Sequence, residues 1–391
     1  MADRGILFIS NGYGEDTISS RIIQSLRDRS GVPVYALPLV GQGHAYLSGG
    51  IETVGPKRLM PSGGMIPGSV KNLMTDFSSG LARLTLEQIA AIKAMRKKVA
   101  MTVAVGDIYP VILSMLFSVK PIVMVGTAKS DYFYHYNWSE RAVMRKACSR
   151  VFTRDELTAS SLRGYSIDAE WVGNAMMDSL TVTGVDFGLE PENPVVAVLP
   201  GSRKEAYNDI AVILDSVVKL SKMMDGKISF VMAAADSIPV PSLFTEAERD
   251  GWTLKDGDPE KGALYVASCG ALSMVISQGR FGDVLARSAI VVGQAWTGNE
   301  QAVGMGRPVV TFDSSGGKSM GWYRMRQKGL LGDSISVVDK DGERIAREAF
   351  DILNDRNRYS SMERIGRERM GPPGAADRMA SYIAAHLENG D

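Results

Sequence analysis

Two stretches of the chain end an apolar run in residues able to hold an anion. In Val195-Val196-Ala197-Val198-Leu199-Pro200-Gly201-Ser202-Arg203-Lys204-Glu205, the apolar run breaks at Pro-Gly-Ser-Arg and a helical pattern begins near Glu205. Gly201 permits a tight turn, the orphan amides of a helix start attract negative charge, and the fork of Arg203 fits a diphosphate. The plainer alternative is a helix cap with a surface arginine. The second run, Ile290-Val291-Val292-Gly293, passes through Gln294-Ala295-Trp296 into Thr297-Gly298-Asn299-Glu300-Gln301 and closes at Gly306-Arg307-Pro308. Amides from Thr297 to Asn299 would meet a phosphate, and Glu300 would accept both hydroxyls of a ribose. A carboxylate in a first helical turn is equally explained by the helix dipole. A third loop, Ser277-Gln278-Gly279-Arg280-Phe281-Gly282-Asp283, offers backbone groups and an aromatic wall to a flat base.

The first half carries the candidates for proton transfer. Ser10-Asn11-Gly12-Tyr13-Gly14-Glu15-Asp16 follows an apolar run and precedes a helical pattern. It has glycines without the full dinucleotide fingerprint, so the reading is close approach of a substrate to the backbone, with Glu15 and Asp16 facing it. Val103-Ala104-Val105-Gly106-Asp107 ends a strand pattern in a carboxylate, placed either to act as a base or to cap the next helix. Three other patterns dissolve on inspection. Gly316-Gly317-Lys318-Ser319 resembles the end of a P-loop, but Phe312 stands where its first glycine must be. Asp256-Gly257-Asp258 reads as a turn, not a metal pair. His44, His135 and His386 show no metal or nucleophile–base spacing, and no metal is expected.

These candidates need strands to carry them. Ile6–Ile9, Val34–Leu39, Met101–Val105, Ile122–Val125 and Val151–Thr153 read as buried strands, with helical stretches at Ser19–Arg29, Thr85–Lys98 and Asp155–Leu162. Strand–helix alternation implies parallel βαβ units and a doubly wound sheet. A polar segment, 181–194, holds Gly184, Gly188, Pro191 and Pro194 and reads as a linker. The pattern restarts at Val195–Leu199, Ile228–Met232, Leu272–Ile276, Ile290–Gly293 and Pro308–Phe312. The expected division is a first domain at 1–180, a linker at 181–194, a second domain at 195–365 and a C-terminal helical segment at 366–391, packing back on the first domain. Ligands in such sheets bind beyond the carboxyl ends of the strands, where all the candidate loops fall.

Composition narrows the classes. The chain has 391 residues, 45% hydrophobic and 23% charged, which is globular usage for two domains. Lysine plus arginine balances aspartate plus glutamate at 44 each, so no global charge favours nucleic acid. Cys148 and Cys269, the only cysteines, suit a reducing compartment and no disulfide scaffold. The apolar stretch at 111–119 is far short of the roughly 20 residues of a membrane-spanning helix, and the N-terminal residues read as a strand rather than a signal peptide. The expected location is the cytoplasm. An apolar, glycine-rich segment, Pro61–Gly68, with Lys93, Arg96, Lys97 and Lys98 downstream, reads as either a peripheral membrane lip at the inner face of the cytoplasmic membrane or a loop beside a solvated helix.

At this level the chain resembles the lipid-A-disaccharide synthases. Leu199-Pro200-Gly201-Ser202-Arg203 is similar to that family's Leu-Pro-Gly-Ser-Arg turn, and Val172-Gly173-Asn174-Ala175-Met176-Met177-Asp178 to its Val-Gly-His-Pro-Leu-x-Asp stretch. Thr297 to Pro308 resembles its donor-binding helix, and Gly106-Asp107 falls where its proposed catalytic aspartate stands. The departures are Asn174 and Ala175 for His-Pro, a first loop unlike Ser-Gly-Glu-x-Ser-Gly-Asp, and an unfamiliar 61–80 segment. The resemblance implies the α/β GT-B type, two doubly wound Rossmann-like domains facing a central cleft. It implies an inverting, metal-independent glycosyltransferase with a UDP-sugar as donor substrate, no cofactor and a lipid or glycolipid acceptor. Asp107 would be the base, with Glu15 and Asp16 as further catalytic candidates. Gly201, Ser202, Arg203, Gln278, Gly279, Arg280, Phe281 and Thr297 to Gln301 would hold the nucleotide-sugar, and Asn11, Gly12, Gly14 and Asn174 the acceptor. Two other classes fit the same fold: a UDP-N-acetylglucosamine 2-epimerase, whose His-x-Glu-Ala-Gly stretch does not occur, and a non-catalytic nucleotide-sugar or lipid binder.

Overall fold

The computed structural model describes residues 4–57, 81–313 and 318–388. The Pro61–Gly68 segment and the rest of 61–80, and Gly316 and Gly317 of the P-loop-like stretch, lie outside the described residues. The chain forms two compact units, Met1–Ser179 with Pro372–Asp391, and Leu180–Gly371.

In chain order the first unit contains β1 (Gly5–Ser10), α1 (Tyr13–Arg27), β2 (Val34–Pro38), α2 (His44–Ser48), β3 (Glu52–Thr53), α3 (Leu81–Met95), β4 (Val99–Gly106), α4 (Ile108–Phe117), β5 (Ile122–Gly126), α5 (Trp138–Ala147), β6 (Cys148–Phe152), α6 (Glu156–Gly164) and β7 (Ala169–Glu170). The second contains β8 (Val195–Leu199), α7 (Glu205–Met223), β9 (Ser229–Ala233), α8 (Val240–Phe244), β10 (Trp252–Asp256), β11 (Tyr265–Cys269), β12 (Leu272–Ser277), α9 (Phe281–Arg287), β13 (Ile290–Gly293), α10 (Trp296–Gly304), β14 (Val309–Phe312), α11 (Lys318–Leu331), β15 (Ile335–Val338), α12 (Gly342–Asn354) and α13 (Arg356–Met370). A last helix, α14 (Ala375–Glu388), belongs to the first unit.

The first sheet has the order β3-β2-β1-β4-β5-β6-β7, every pairing parallel. Its centre is β1, whose Gly-Ile-Leu-Phe-Ile-Ser is buried throughout, as a parallel strand covered on both faces must be. The amphipathic α1 lays Ile18, Ile22, Ile23 and Leu26 on the sheet. The same cluster takes in Ala375, Ala376, Met379, Ala380 and Ile383 from α14, whose small residues let the two helices approach closely. Each large aliphatic side chain buried there contributes roughly 1.5–3 kcal/mol. Asp178 fixes the return of the chain by accepting the amides of Gly374 (2.6 Å) and Ala376 (2.7 Å).

The second sheet runs β10-β11-β12-β9-β8-β13-β14-β15. Its core is parallel, and β10 and β11 add an antiparallel edge to β12. That edge is absent from the sequence reading. Only two of the five residues of β10 are withdrawn from full exposure, so it lacks the apolar run that marks a central strand. The Asp256–Asp258 stretch closes β10, and Asp258 accepts the Glu260 amide at 3.0 Å, as a turn residue does.

Candidate functional site

In both sheets the chain reverses its direction of strand addition once. In the first sheet, β1 leads outward to β2 and β3, and the chain then crosses to β4 and adds β5, β6 and β7 on the other side. In the second, β8 leads to β9 and, further out, to β12, while β13, β14 and β15 follow on the other side. Loops leaving the carboxyl ends of the two strands at such a reversal diverge and leave a crevice, the usual ligand position of an open α/β sheet. The crevices lie above β1/β4 in one unit and β8/β13 in the other.

Above β1 and β4 the structure gathers Asn11, Glu15, Asp107 and Thr127. Gly106 ends β4 with φ +130°, and a Cβ there would overlap the Asn11 carboxamide oxygen, so only glycine fits. Asp107 is half-buried and caps α4: its Oδ1 accepts the Tyr109 amide at 2.8 Å, and Asn11 also donates to it. Burial raises its pKa, opposed by those two donors; Glu140 adds to the rise and Lys129 reduces it. Capping and a base's environment therefore coexist at Asp107. Glu15 accepts the Thr127 hydroxyl at 2.9 Å, and the Thr127 amide donates to the Gly106 carbonyl at 3.0 Å. Lys129 pairs with Glu140 at 2.6 Å close by in the fold. Thr127, Lys129 and Glu140 were not singled out from sequence, because the signal is the parallel register Gly106↔Gly126, which no local pattern reveals.

Two expectations for this unit need correction. The helix begins at Tyr13, not near Ser19, so Glu15 and Asp16 share its first turn and only Glu15 faces the crevice residues. Asp16 is 2% exposed, takes the Ser10 hydroxyl at 2.6 Å, and Ser10 in turn meets Tyr46 Oη at 2.6 Å. Ser10 has one proton and gives it to Asp16, so Tyr46 donates to Ser10. Burial pushes Asp16 up to about 7, the Ser10 hydrogen bond opposing and the Glu15 charge adding. Second, Asn174 is 8% exposed and its Oδ1 accepts the Met176 amide at 3.1 Å, so its side chain shapes its own turn. Lys93, Arg96, Lys97 and Lys98 are exposed and lead into the first residue of β4, while Asp107 follows the last. Eight residues of strand, roughly 26 Å, separate the basic group from the crevice. Gly12 is half-buried beside the Glu15 carboxylate, and Gly14 is exposed with open space around it.

Above β8 and β13 the three sequence-derived loops come together. Gly201 takes φ +97° and lies beside the Gln294 carbonyl of the β13 loop. Ser202 and Arg203 are exposed, and the Arg203 carbonyl accepts the Ala206 amide as α7 starts. Phe281, the first residue of α9, and Leu199 both pack against Gly298 in the first turn of α10. Only part of the 297–301 stretch meets solvent. Thr297 is exposed, whereas Asn299, Glu300 and Gln301 are 0%, 3% and 7% exposed. The Asn299 amide is spent on the Ala295 carbonyl (3.0 Å), and its side chain on the Gly293 carbonyl (3.1 Å), so Asn299 offers no amide to an anion. Glu300 is thus buried within α10. Gln278 donates to the carbonyls of Ala235 (3.1 Å) and Ile238 (3.3 Å), and the exposed Arg280 reaches the Thr183 hydroxyl at 3.1 Å; Gly279 is exposed.

Beneath the β13 loop lies a cation that sequence reading missed. Arg324 is 6% exposed; it donates to Gln327 Oε1 at 2.9 Å and to Gln294 Oε1, and its Nε has no hydrogen-bond partner among the described residues. Gln327, fully buried, ties this arginine to α10 through the Trp296 carbonyl at 3.0 Å. Burial lowers the Arg324 pKa to about 10, with Asp313 and Asp209 opposing, so it is charged at neutral pH. An arginine and a glutamine three apart on the buried face of a helix are the signal available from sequence. The first turn of α10 and the buried guanidinium thus both favour negative charge at one loop. Among the described residues no cluster of three or more acidic, histidine or cysteine side chains has metal-binding geometry. No helix among them is long and apolar enough to cross a membrane.

Two doubly wound Rossmann-like units, each with its crevice at a strand-order reversal, define an α/β fold of the GT-B type. Solved structures agree over the whole chain. The calicheamicin glycosyltransferase is similar with a TM-score of 0.62 at 15% identity, covering 100% of this chain and 99% of that one. The spinosyn rhamnosyltransferase complexed with thymidine diphosphate gives 0.61 at 13%, covering 98% and 100%. The UDP-GlcNAc 2-epimerase from Neisseria meningitidis bound to UDP-GlcNAc gives 0.58 at 12%, covering 98% and 99%. No protein-family model and no curated protein sequence matches the chain. At these identities the likeness establishes the fold, and nothing in it singles out the lipid-A-disaccharide synthases.

Proposed function

We propose that the protein is a nucleotide-sugar enzyme, and specifically a metal-independent glycosyltransferase with a UDP-sugar donor. The observation that carries this reading is the loading of the β8/β13 crevice: a glycine turn followed by the exposed Arg203 leaves β8, and the start of α10 follows β13 with the buried Arg324 beneath its loop. Amide and guanidinium donors fixed before a diphosphate leaves stabilise the charge that develops on it, which is the electrostatic work a divalent cation does elsewhere. In the first unit, Asp107 would accept the proton of an acceptor hydroxyl. Its raised pKa makes it a stronger base than an ordinary aspartate, and Asn11 and the Tyr109 amide hold its orientation. The neighbours that act on or hold UDP-sugars and related nucleotides support the donor class.

Calorimetry with UDP and UDP-hexoses in the presence of a chelator tests the donor half. Saturable binding is expected, and binding seen only after magnesium or manganese is restored would overturn the metal-independent reading. Epimerases among the structural neighbours favour a second reading, in which no acceptor is needed. Incubation with UDP-N-acetylglucosamine alone separates the two. A second sugar nucleotide formed without UDP release marks an epimerase, whereas acceptor-dependent UDP release marks a transferase.

A further inference from the structure

The loop after β5 and the first residue of α5 carry Tyr132-Phe133-Tyr134-His135-Tyr136-Asn137-Trp138, the densest aromatic stretch of the chain. Part of it, with α5 and α6, lines an open cavity of about 600 Å³, a size suited to a small ligand. Its walls are unusual for a lipid site, because ring faces alternate with polar groups. Tyr134 and Tyr165 are 56% and 46% exposed, far more than a packed tyrosine needs. The Arg141 guanidinium stacks 3.9 Å above the Tyr165 ring and donates to the Tyr136 carbonyl at 2.8 Å, so its orientation is fixed before any ligand arrives. Lys129 Nζ lies 4.3 Å from the Tyr134 ring centre. His135 Nδ1 faces the Asp131 carboxylate at 3.2 Å, which leaves the other ring nitrogen for a partner.

The cavity also adjoins the crevice. Tyr136, its inner wall, is 2% exposed, and its hydroxyl packs on Gly126, tightly enough that a Cβ there would collide with it. Gly126 is the strand partner of Gly106, the residue before Asp107. One strand spacing, roughly 4.8 Å, separates the backbone under Tyr136 from the backbone that carries the base.

We propose that this cavity is a carbohydrate subsite for the acceptor, in which a pyranose ring lies against Tyr134 and Tyr165 while His135 and Arg141 hydrogen-bond its hydroxyls. The physical reason is the matched alternation. A sugar ring has an apolar C–H face that stacks on an aromatic ring and an equator of hydroxyls that needs donors and acceptors. An acyl chain would make no hydrogen bond with the arginine or the histidine, which keep the partners they already have. The inference rests on the transferase reading, since a subsite beside Asp107 presents a hydroxyl to that base.

Saturation-transfer NMR on the full chain, without nucleotide, tests it with methyl β-D-glucopyranoside, methyl N-acetyl-β-D-glucosaminide and octyl β-D-glucopyranoside as probes. The expected result is transfer to ring protons of at least one methyl glycoside. In the Tyr134→Ala/Tyr165→Ala double variant its affinity should drop roughly tenfold, the scale of two lost stacking contacts, whereas Tyr134→Phe should retain it. UDP calorimetry on the same double variant should match the parent, which also shows that the chain is folded. Transfer confined to the alkyl chain of the octyl glycoside, no transfer to any probe, or binding that survives the double substitution each overturns the subsite. If glycoside binds as expected but UDP does not bind the parent, the donor reading fails while the subsite stands.

Discussion

Replacing Asp16 by Asn should make the protein more stable near neutral pH, an unusual direction for a substitution in a hydrogen-bonded core. Asp16 is 2% exposed, and burial pushes its pKa from 3.8 to about 7. Between those values the folded chain holds a proton that the unfolded chain has released, so the unfolded state binds fewer protons and stability falls as pH rises. The loss begins near pH 4 and levels off above about pH 7. At 1.36 kcal/mol for each pH unit of difference, the full cost of ionisable Asp16 is on the order of 4 kcal/mol. Asn keeps the acceptor oxygen that takes the Ser10 hydroxyl and does not ionise. Urea unfolding of both proteins at pH 5 and pH 7.5, followed by fluorescence, gives the comparison. The advantage of Asp16→Asn over the parent should widen between the two pH values by roughly 2 kcal/mol. Because both proteins unfold through the same two units, the difference in midpoint is the quantity to compare. Parallel pH profiles would refute the argument and make Asp16 an ordinary ionised carboxylate.

Asp107→Asn retains the acceptor for the Tyr109 amide, so melting should barely shift while turnover falls by about 10²-fold or more, the usual cost of removing a base. In the parent, turnover should decline with acid at a pH above the ordinary aspartate range, because the raised pKa protonates Asp107 there; a pH–rate profile that follows 3.8 contradicts this. Gly106→Ala places a Cβ on the Asn11 side chain at φ +130° and should destabilise by about 1–3 kcal/mol, read from denaturant midpoints. Arg324→Met should raise the UDP dissociation constant by roughly tenfold or more, the scale of a charge-assisted hydrogen bond, and unchanged calorimetry would confine Arg324 to a structural role.

The strands that pass through the middle of each sheet were legible because burial on both faces leaves an uninterrupted apolar run, as in Gly5–Ser10 and Val195–Leu199. The edge hairpin β10–β11 was not, because a half-exposed edge mixes Lys255 and Asp256 with Trp252 and Leu254. Most loops at the carboxyl ends were found where a glycine broke an apolar run, but the one after Gly126 was not. Side-chain direction was the harder matter. Glu15 and Asp16 are adjacent in sequence and lie about 100° apart around α1, so one reaches the crevice and the other the core. Arg324 escaped notice because its importance comes from Gln294, thirty positions away, and not from its helix.

The first unit is built from both ends of the described chain, with Pro372–Asp391 closing on Met1–Ser179. This sets an order of assembly on the ribosome. Domains emerge at about 5–20 residues per second and usually fold from the N-terminus onward. Here the continuous stretch Leu180–Gly371 is complete first, while the face of α1 bearing Ile22, Ile23 and Leu26 waits for Met379, Ala380 and Ile383 of the last helix. For some ten to forty seconds α1 has the sheet beneath it but lacks the apolar cover of that helix. The half that carries Asp107 is therefore the half exposed longer to chaperones and proteases during synthesis, and its core is completed only once α14 has been made.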